Sequence, residues 1–270
     1  MLTSTFVLLQ GVGPATERRW WQDGVLDWRD FVDRPRIAGL STERKSLYDK
    51  DLVLALGAFE ARDFSSLAAR LPSREHWRFY EICQPTALYL DIETTGLSPH
   101  DPSGAVTVVG LHRNGSTTTL VQGDTLTTDR LQAELDRCTL LVTFFGSVFD
   151  VPYLRTHFPQ LRFSMPHFDL CLAARRLGMH GGLKHLEQEL GLERAAALCG
   201  LDGLDAVRLW SQWRLGDQTA LDILLAYNRA DTENLVPLAS LVYKEMMSRF
   251  GPSSATPVRV LRHARSAYSP

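Results

Sequence analysis

Apolar and polar positions along this chain follow two periods, and the change from one to the other divides it. Over residues 1–86 apolar side chains recur at helical spacing. Ser41-Thr42 is placed to cap a long helix reaching about Arg70, and Ser73 to cap a shorter one containing His76–Ile82, before Pro85 breaks the chain. Strand patterns follow. Ala87–Leu90 is an apolar strand running into Asp91, while Ala105–Leu111 and Thr117–Val121 flank Asn114-Gly115, a strong hairpin signal. A helix over Thr128–Cys138 leads to a buried strand at Leu140–Phe144, and Phe149–His157 reads as helix again. A short strand is expected near Phe163, then helices at Leu170–Leu177, Leu183–Leu190 and Ala206–Trp213. The last helical pattern begins near Asp217 and passes Tyr243, with a kink or restart expected at Pro237.

Three strands, a helix, a strand and a helix in that order predict an α/β domain built on one mixed sheet, over residues 87–248. A helical N-terminal region, 1–86, precedes it. Residues 249–270 carry Gly251-Pro252-Ser253-Ser254 and little periodicity, so a flexible basic tail is expected.

Composition narrows the class. In 270 residues, 44% are hydrophobic, enough for a sizeable core. No apolar run approaches the roughly 18 residues of a bilayer span, and the N-terminus lacks the basic start and cleavage site of a signal peptide. A soluble cytoplasmic protein, with no membrane partner, is expected. Cys83, Cys138, Cys171 and Cys199 form no C-x-x-C pair and suit neither zinc nor a disulfide framework; they read as reduced, mostly buried thiols. The net charge of −2 is uneven. Residues 87–245 carry 13 basic and 19 acidic groups, whereas residues 246–270 carry four arginines and no acid. An acidic central domain repels a phosphate backbone unless cations or a local basic strip intervene.

The candidate chemistry lies in three short segments. In Leu88-Tyr89-Leu90-Asp91-Ile92-Glu93-Thr94-Thr95-Gly96-Leu97, alternation along a strand sends both carboxylates to one face. Two like charges side by side are unfavourable without a cation. Alone, the pair also reads as a strand end with two solvated acids. Asp150, in Phe149-Asp150-Val151-Pro152, falls at a helix start, where a cap explains it equally well. Tyr227 and Asp231 stand four apart on one face of an otherwise apolar helix; an exposed helical acid is the ordinary alternative.

Taken together, these pieces resemble the motifs of the DEDD exonucleases, in the tyrosine-bearing (DEDDy) branch of the RNase H-like superfamily. The histidine branch has no counterpart here, since position 226 is Ala. Glu233-Asn234-Leu235, His167-Phe168-Asp169-Leu170 and Gly182-Leu183-Lys184 are further similar to the bacterial YprB-like group, over about residues 86–245. The resemblance implies an RNase H-like mixed sheet flanked by helices and a 3′–5′ exonuclease acting on nucleic acid, with a single-stranded 3′ end as substrate. It implies that Asp91, Glu93, Asp150 and Asp231 hold two Mg²⁺ or Mn²⁺ ions. By the same resemblance Tyr227 positions the attacking water, and Thr94, Thr95, Gly96 and Leu97 hold the terminal nucleotide. In one departure, Phe145 stands five residues before Asp150 where the family often has Asn. That departure keeps open an alternative, a catalytically weak or inactive nucleic-acid-binding module of the same fold.

Other candidates are weaker. Gly11-Val12-Gly13-Pro14 looks like half of a helix-hairpin-helix element, which binds phosphate through backbone N–H groups, and equally like a packing turn. Trp20 and Trp21 read as core or domain-interface residues, with base stacking as the alternative. His167 and Asp169 read as a ligand pair or, more ordinarily, a helix cap, and Arg155, Arg175 and Arg176 equally as a phosphate path or a solvated helix face. A phosphate-binding G-x-x-x-x-G-K-[ST] loop and a G-x-S-x-G nucleophile elbow are both missing from the sequence.

Overall fold

The computed structural model describes residues 1–96, 98–101, 103–192, 195 and 198–252. Its centre is a five-stranded sheet, β1 (Ala87–Thr94), β2 (Val106–Arg113), β3 (Ser116–Val121), β4 (Leu140–Thr143) and β5 (His167–Asp169), in the order β3-β2-β1-β4-β5. β1 pairs antiparallel with β2 and parallel with β4, so it lies in the middle of the sheet. The β2–β3 hairpin turns at Asn114 (φ 52°) and Gly115 (φ 74°), the two positive dihedrals that a two-residue hairpin loop requires.

Alternation along β1 feeds two cores. Leu88, Leu90 and Ile92 pack with α6 (Thr128–Asp136) and α7 (Asp150–His157). Ala87 and Tyr89 face the other way, toward α8 (Leu170–Arg176) and the long α11 (Gln218–Phe250). Asp91 and Glu93 continue that second set. Between these helices come α9 (Leu183–Glu189) and α10 (Gly203–Arg214), the latter covering a smaller core with Val108, Val121, Trp210 and Tyr227.

The N-terminal region supplies α1 (Pro14–Gln22), α2 (Trp28–Asp33), α3 (Thr42–Glu60), α4 (Phe64–Ala69) and α5 (Tyr80–Cys83), with a 3-10 segment at Ser73–Phe79. Its buried Phe6, Trp20, Trp28 and Phe31 share one continuous core with Tyr89, Leu238, Val242 and Met246. Arg78, 2% exposed, bridges Glu17 and Glu75 at 2.8 Å each and donates to Thr5 Oγ1, so this buried charge is fully partnered.

Several expectations are corrected. The helix expected to reach Arg70 ends at Glu60. Arg62 (φ 56°) closes it, with Asp63 N donating to Ala58 O and Arg62 N to Phe59 O, and Asp63 then caps α4. The fifth strand lies at His167–Asp169, not near Phe163, because its partner Leu141–Thr143 pairs there. Pro237 neither ends nor restarts α11, whose 33 residues pass through it; buried Leu235, Leu238 and Ala239 on either side hold the helix together. The expected tail begins inside that helix, as Arg249 and Phe250 are its last residues, and positions 253–270 lie outside the described residues. Among the described residues no helix is long and apolar enough to cross a membrane.

Candidate active site

The floor of the site is the end of β1. A register shift between Glu93 and Thr94 ends its regular pairing with β2, and the chain turns at Thr95 and Gly96. That turn is held by its own side chains. Thr95 N donates to Ala105 O at 2.9 Å, Thr95 Oγ1 donates to Ser103 O, and Thr94 Oγ1 and Tyr153 Oη both donate to Gly96 O. The hydroxyls of Thr94 and Thr95 are thus engaged in shaping the turn. Leu97, the remaining residue of that predicted set, lies outside the described residues.

The helix α11 reaches this floor because Gly110 lets it. Gly110 sits opposite Asp91 in the β1–β2 ladder, and a Cβ there would collide with Asn228 and Thr232. With the helix this close, Asn228 Nδ2 donates to Asp91 Oδ2 at 2.9 Å. Asp231, one turn further on, brings its carboxylate to Asp91 and Glu93. Oxygens of these three groups lie within 4.8 Å of one another. Asp150, the first residue of α7, lines the same cleft but stands outside that trio.

Electrostatics follow from burial. Glu93 is 7% exposed; burial first, and then the charge of Asp231, pushes its carboxyl well above the usual range, while a hydrogen bond from Asn228 and the charge of Lys184 pull the other way. Asp150, 4% exposed, is likewise pushed up, mainly by burial. Four acids therefore line one cleft, and burial disfavours the charged forms of two of them, Glu93 and Asp150. An all-oxygen donor set of this kind fits a hard divalent cation, which would remove the repulsion.

Tyr227 is buried on the same helix face as Asp231. Lys184, from α9, donates through Nζ to its phenolic oxygen at 2.5 Å. A cleft of about 470 Å³ opens above these groups, walled by Phe144, Phe145 and Phe149 from the β4–α7 turn and by Leu204 and Val207 from α10. The turn is anchored from below by Asp169, whose carboxylate accepts from Phe145 N, Ser147 N and the Ser147 hydroxyl and also caps α8 through Leu172 N. His167 bonds Thr143 Oγ1 through Nε2, so neither member of that pair joins the acidic trio.

Sequence reasoning missed Asn228, Lys184 and the α10 wall. Asn228 adjoins Tyr227 and stands three residues before Asp231, a spacing that was there to be read as one face. Lys184 stood only within the Gly182-Leu183-Lys184 likeness, with no role read for it, since it comes from another helix. The Gly11–Gly13 turn leads into α1 and packs against Arg44, whose guanidinium donates to Gln10 O.

A mixed sheet in this order, with acidic side chains converging at the end of its central strand, defines an RNase H-like α/β fold. The chain belongs to the RNase H superfamily, whose model matches residues 88–243. Among solved structures it is similar to one described as the apo form of the nuclease, at 18% identity and a TM-score of 0.46, over 68% of this chain and 82% of that one. It is also similar to the family B DNA polymerase from the hyperthermophilic archaeon Pyrobaculum calidifontis, at 13% identity and a TM-score of 0.49. That match covers 63% of this chain but 26% of the polymerase. No curated protein matches the sequence.

Proposed function

We propose that the protein is a metal-dependent 3′–5′ exonuclease of the DEDDy type, releasing mononucleotides from single-stranded 3′ ends of DNA or RNA. The observation that carries the proposal is the convergence of Asp91, Glu93 and Asp231 beside a buried tyrosine held by a lysine. Asp91, Glu93, Asp150 and Asp231 are the residues that would hold Mg²⁺ or Mn²⁺. Two such cations, when bound, supply positive charge to the attacking and leaving oxygens of a phosphodiester. The chain's own groups do the positioning. Asn228 orients Asp91 through the 2.9 Å hydrogen bond. Tyr227 accepts from Lys184, so its own O–H is turned away from the ammonium and serves as a donor that orients water. In the reaction, water adds to phosphorus, the bond from phosphorus to the 3′ oxygen breaks, and that oxygen leaves as a hydroxyl after gaining a proton. The products are a nucleoside 5′-monophosphate and a strand one residue shorter.

The test is a side-by-side digestion of single-stranded DNA, duplex DNA and RNA labelled at the 5′ end, with Mg²⁺ or Mn²⁺ and with excess EDTA. A metal-dependent ladder of successively shortened strands is expected, fastest on single strands. Internal cuts, or full activity in EDTA, would overturn the proposal. Tight oligonucleotide binding with no cleavage under any metal would instead leave a binding module of the same fold.

A further inference from the structure

The geometry points to Phe145 as a stacking platform for a nucleobase at the mouth of the cleft, with Arg175 beside it for the adjoining phosphate. The inference rests on the nucleic-acid reading of the site.

Phe145 adopts φ 65°, a left-handed conformation that is a genuine outlier for a bulky side chain and is readily taken by Asn or Gly. Strain of this kind persists only where the surroundings impose it. Here Asp169, 8% exposed, imposes it: Oδ1 accepts from Phe145 N and Oδ2 from Ser147 N, both at 3.0 Å. Packing does not account for the ring. Its neighbour Phe144 packs against the larger core and Phe149 against the α6–α7 core, with its ring 5.1 Å from that of Tyr153. Phe145 joins neither of those cores, nor the one under α10. It is half-buried and lines the acidic cleft.

A cation accompanies the ring. Arg175, exposed on α8, places its guanidinium carbon 5.2 Å from the centroid of the Phe145 ring. The exposed Val148 and Leu172 belong to the same turn and the same helix. An aromatic face with an arginine beside it is the pairing by which single strands are held irrespective of sequence, base on ring and phosphate on guanidinium. It also answers a need of the site, because the carboxylates at its floor repel the strand they are to cleave. Bases already stacked within a duplex cannot lie on such a ring, so the platform selects unpaired ends.

The test uses the full chain carrying Asp231→Asn to block cleavage. To it is added Phe145→Asn, which suits the turn and deletes the ring, Phe145→Leu, which keeps apolar bulk, or Phe145→Trp, which keeps an aromatic face. The probe is a single-stranded DNA oligonucleotide with 2-aminopurine, or an abasic residue, at each 3′-terminal position in turn. With Phe or Trp at 145, fluorescence should be quenched at one position, and an abasic residue there should weaken binding roughly tenfold. With Asn or Leu, the quenching should vanish, affinity should fall by the same factor, and the abasic residue should make no further difference. Thermal melting should show the Asn variant at least as stable as its parent. Unchanged quenching and affinity in the Asn variant, or full rescue by Leu, would overturn the platform. The two readings fail differently. Position-specific quenching in a chain whose unmutated form cleaves nothing would leave the platform standing and remove the nuclease. Cleavage with no dependence on residue 145 would do the reverse, and a folded chain that binds no oligonucleotide would remove both.

Discussion

Asn228 donates to Asp91 Oδ2 at 2.9 Å, and this bond helps join the long helix to the central strand at the point where the carboxylates meet. It fixes the orientation of the Asp91 carboxylate relative to Glu93 and Asp231. Supporting hydrogen bonds of this kind are worth roughly 10–100-fold in metal affinity or activity. Asn228→Ala should therefore raise the Mn²⁺ concentration needed for half-maximal cleavage by about that factor. An unchanged Mn²⁺ titration would assign Asn228 to packing alone.

Asp91→Asn and Asp231→Asn should each remove a negative charge without changing shape. Losses of at least about a hundredfold in cleavage rate are expected, with circular dichroism unchanged. A variant that keeps more than roughly a tenth of the rate would place that residue outside the metal site.

Lys184 and Tyr227 meet through one oxygen, so their effects should not add. Tyr227→Phe should be milder than the aspartate changes, with a loss of about 10²-fold or less. Lys184→Met should cost a similar amount, and the double variant little more than either. A full double-mutant cycle reads this; multiplicative losses would show that Lys184 acts on the substrate independently of the phenol.

Stability should depend on pH and metal together. In the metal-free chain, burial raises Glu93 to about 8 and Asp150 to about 7, above their ordinary values of 4.5 and 3.8. A carboxyl raised on folding stabilises the fold while protonated, and that stability is lost as pH rises through the folded value. His167, lowered by burial to about 4, acts oppositely, but only below its ordinary 6.5. Between pH 6.5 and 8 the carboxyls are therefore unopposed. The melting temperature in EDTA should fall across that window, and Mg²⁺ or Mn²⁺ should flatten the slope. A flat profile in EDTA would mean that the acids are already compensated.

Deleting residues 1–35 should prevent folding. Phe6, Leu9, Trp20, Trp28 and Phe31 are each 2% exposed or less and share a core with Leu238 and Val242. Truncating one such aromatic costs about 3–5 kcal/mol, against a total stability of about 5–15 kcal/mol for a typical domain. A soluble truncated protein with native circular dichroism would refute this.

Much of this was legible beforehand, for identifiable reasons. β1 is a long apolar strand ending in two acids, and Asn114-Gly115 supplies both positive dihedrals by residue type. Strands and acids with strong local signals were found where the pattern put them. The failures are non-local. Arg62 closes α3 in a conformation usually given to Gly, so no residue type marks the break. β5 is three residues long and exists because β4 offers it an edge. The restart offered as one alternative at Pro237 does not occur, since burial on both sides carries α11 through it. Asn228 and Lys184 acquire meaning only once α9, α11 and β1 are folded together.

The long helix α11 carries a further consequence. At 33 residues it is about 50 Å long, its first half bearing Tyr227 and Asp231 and its second half Leu238, Val242 and Met246. One end belongs to the acidic cleft and the other to the aromatic cluster of the N-terminal region. The one helix thus ties two separate parts of the molecule together. Its backbone amides should exchange with solvent as a single slow set, and breathing of the distant aromatic cluster should register at the cleft as a change in how long a captured strand stays.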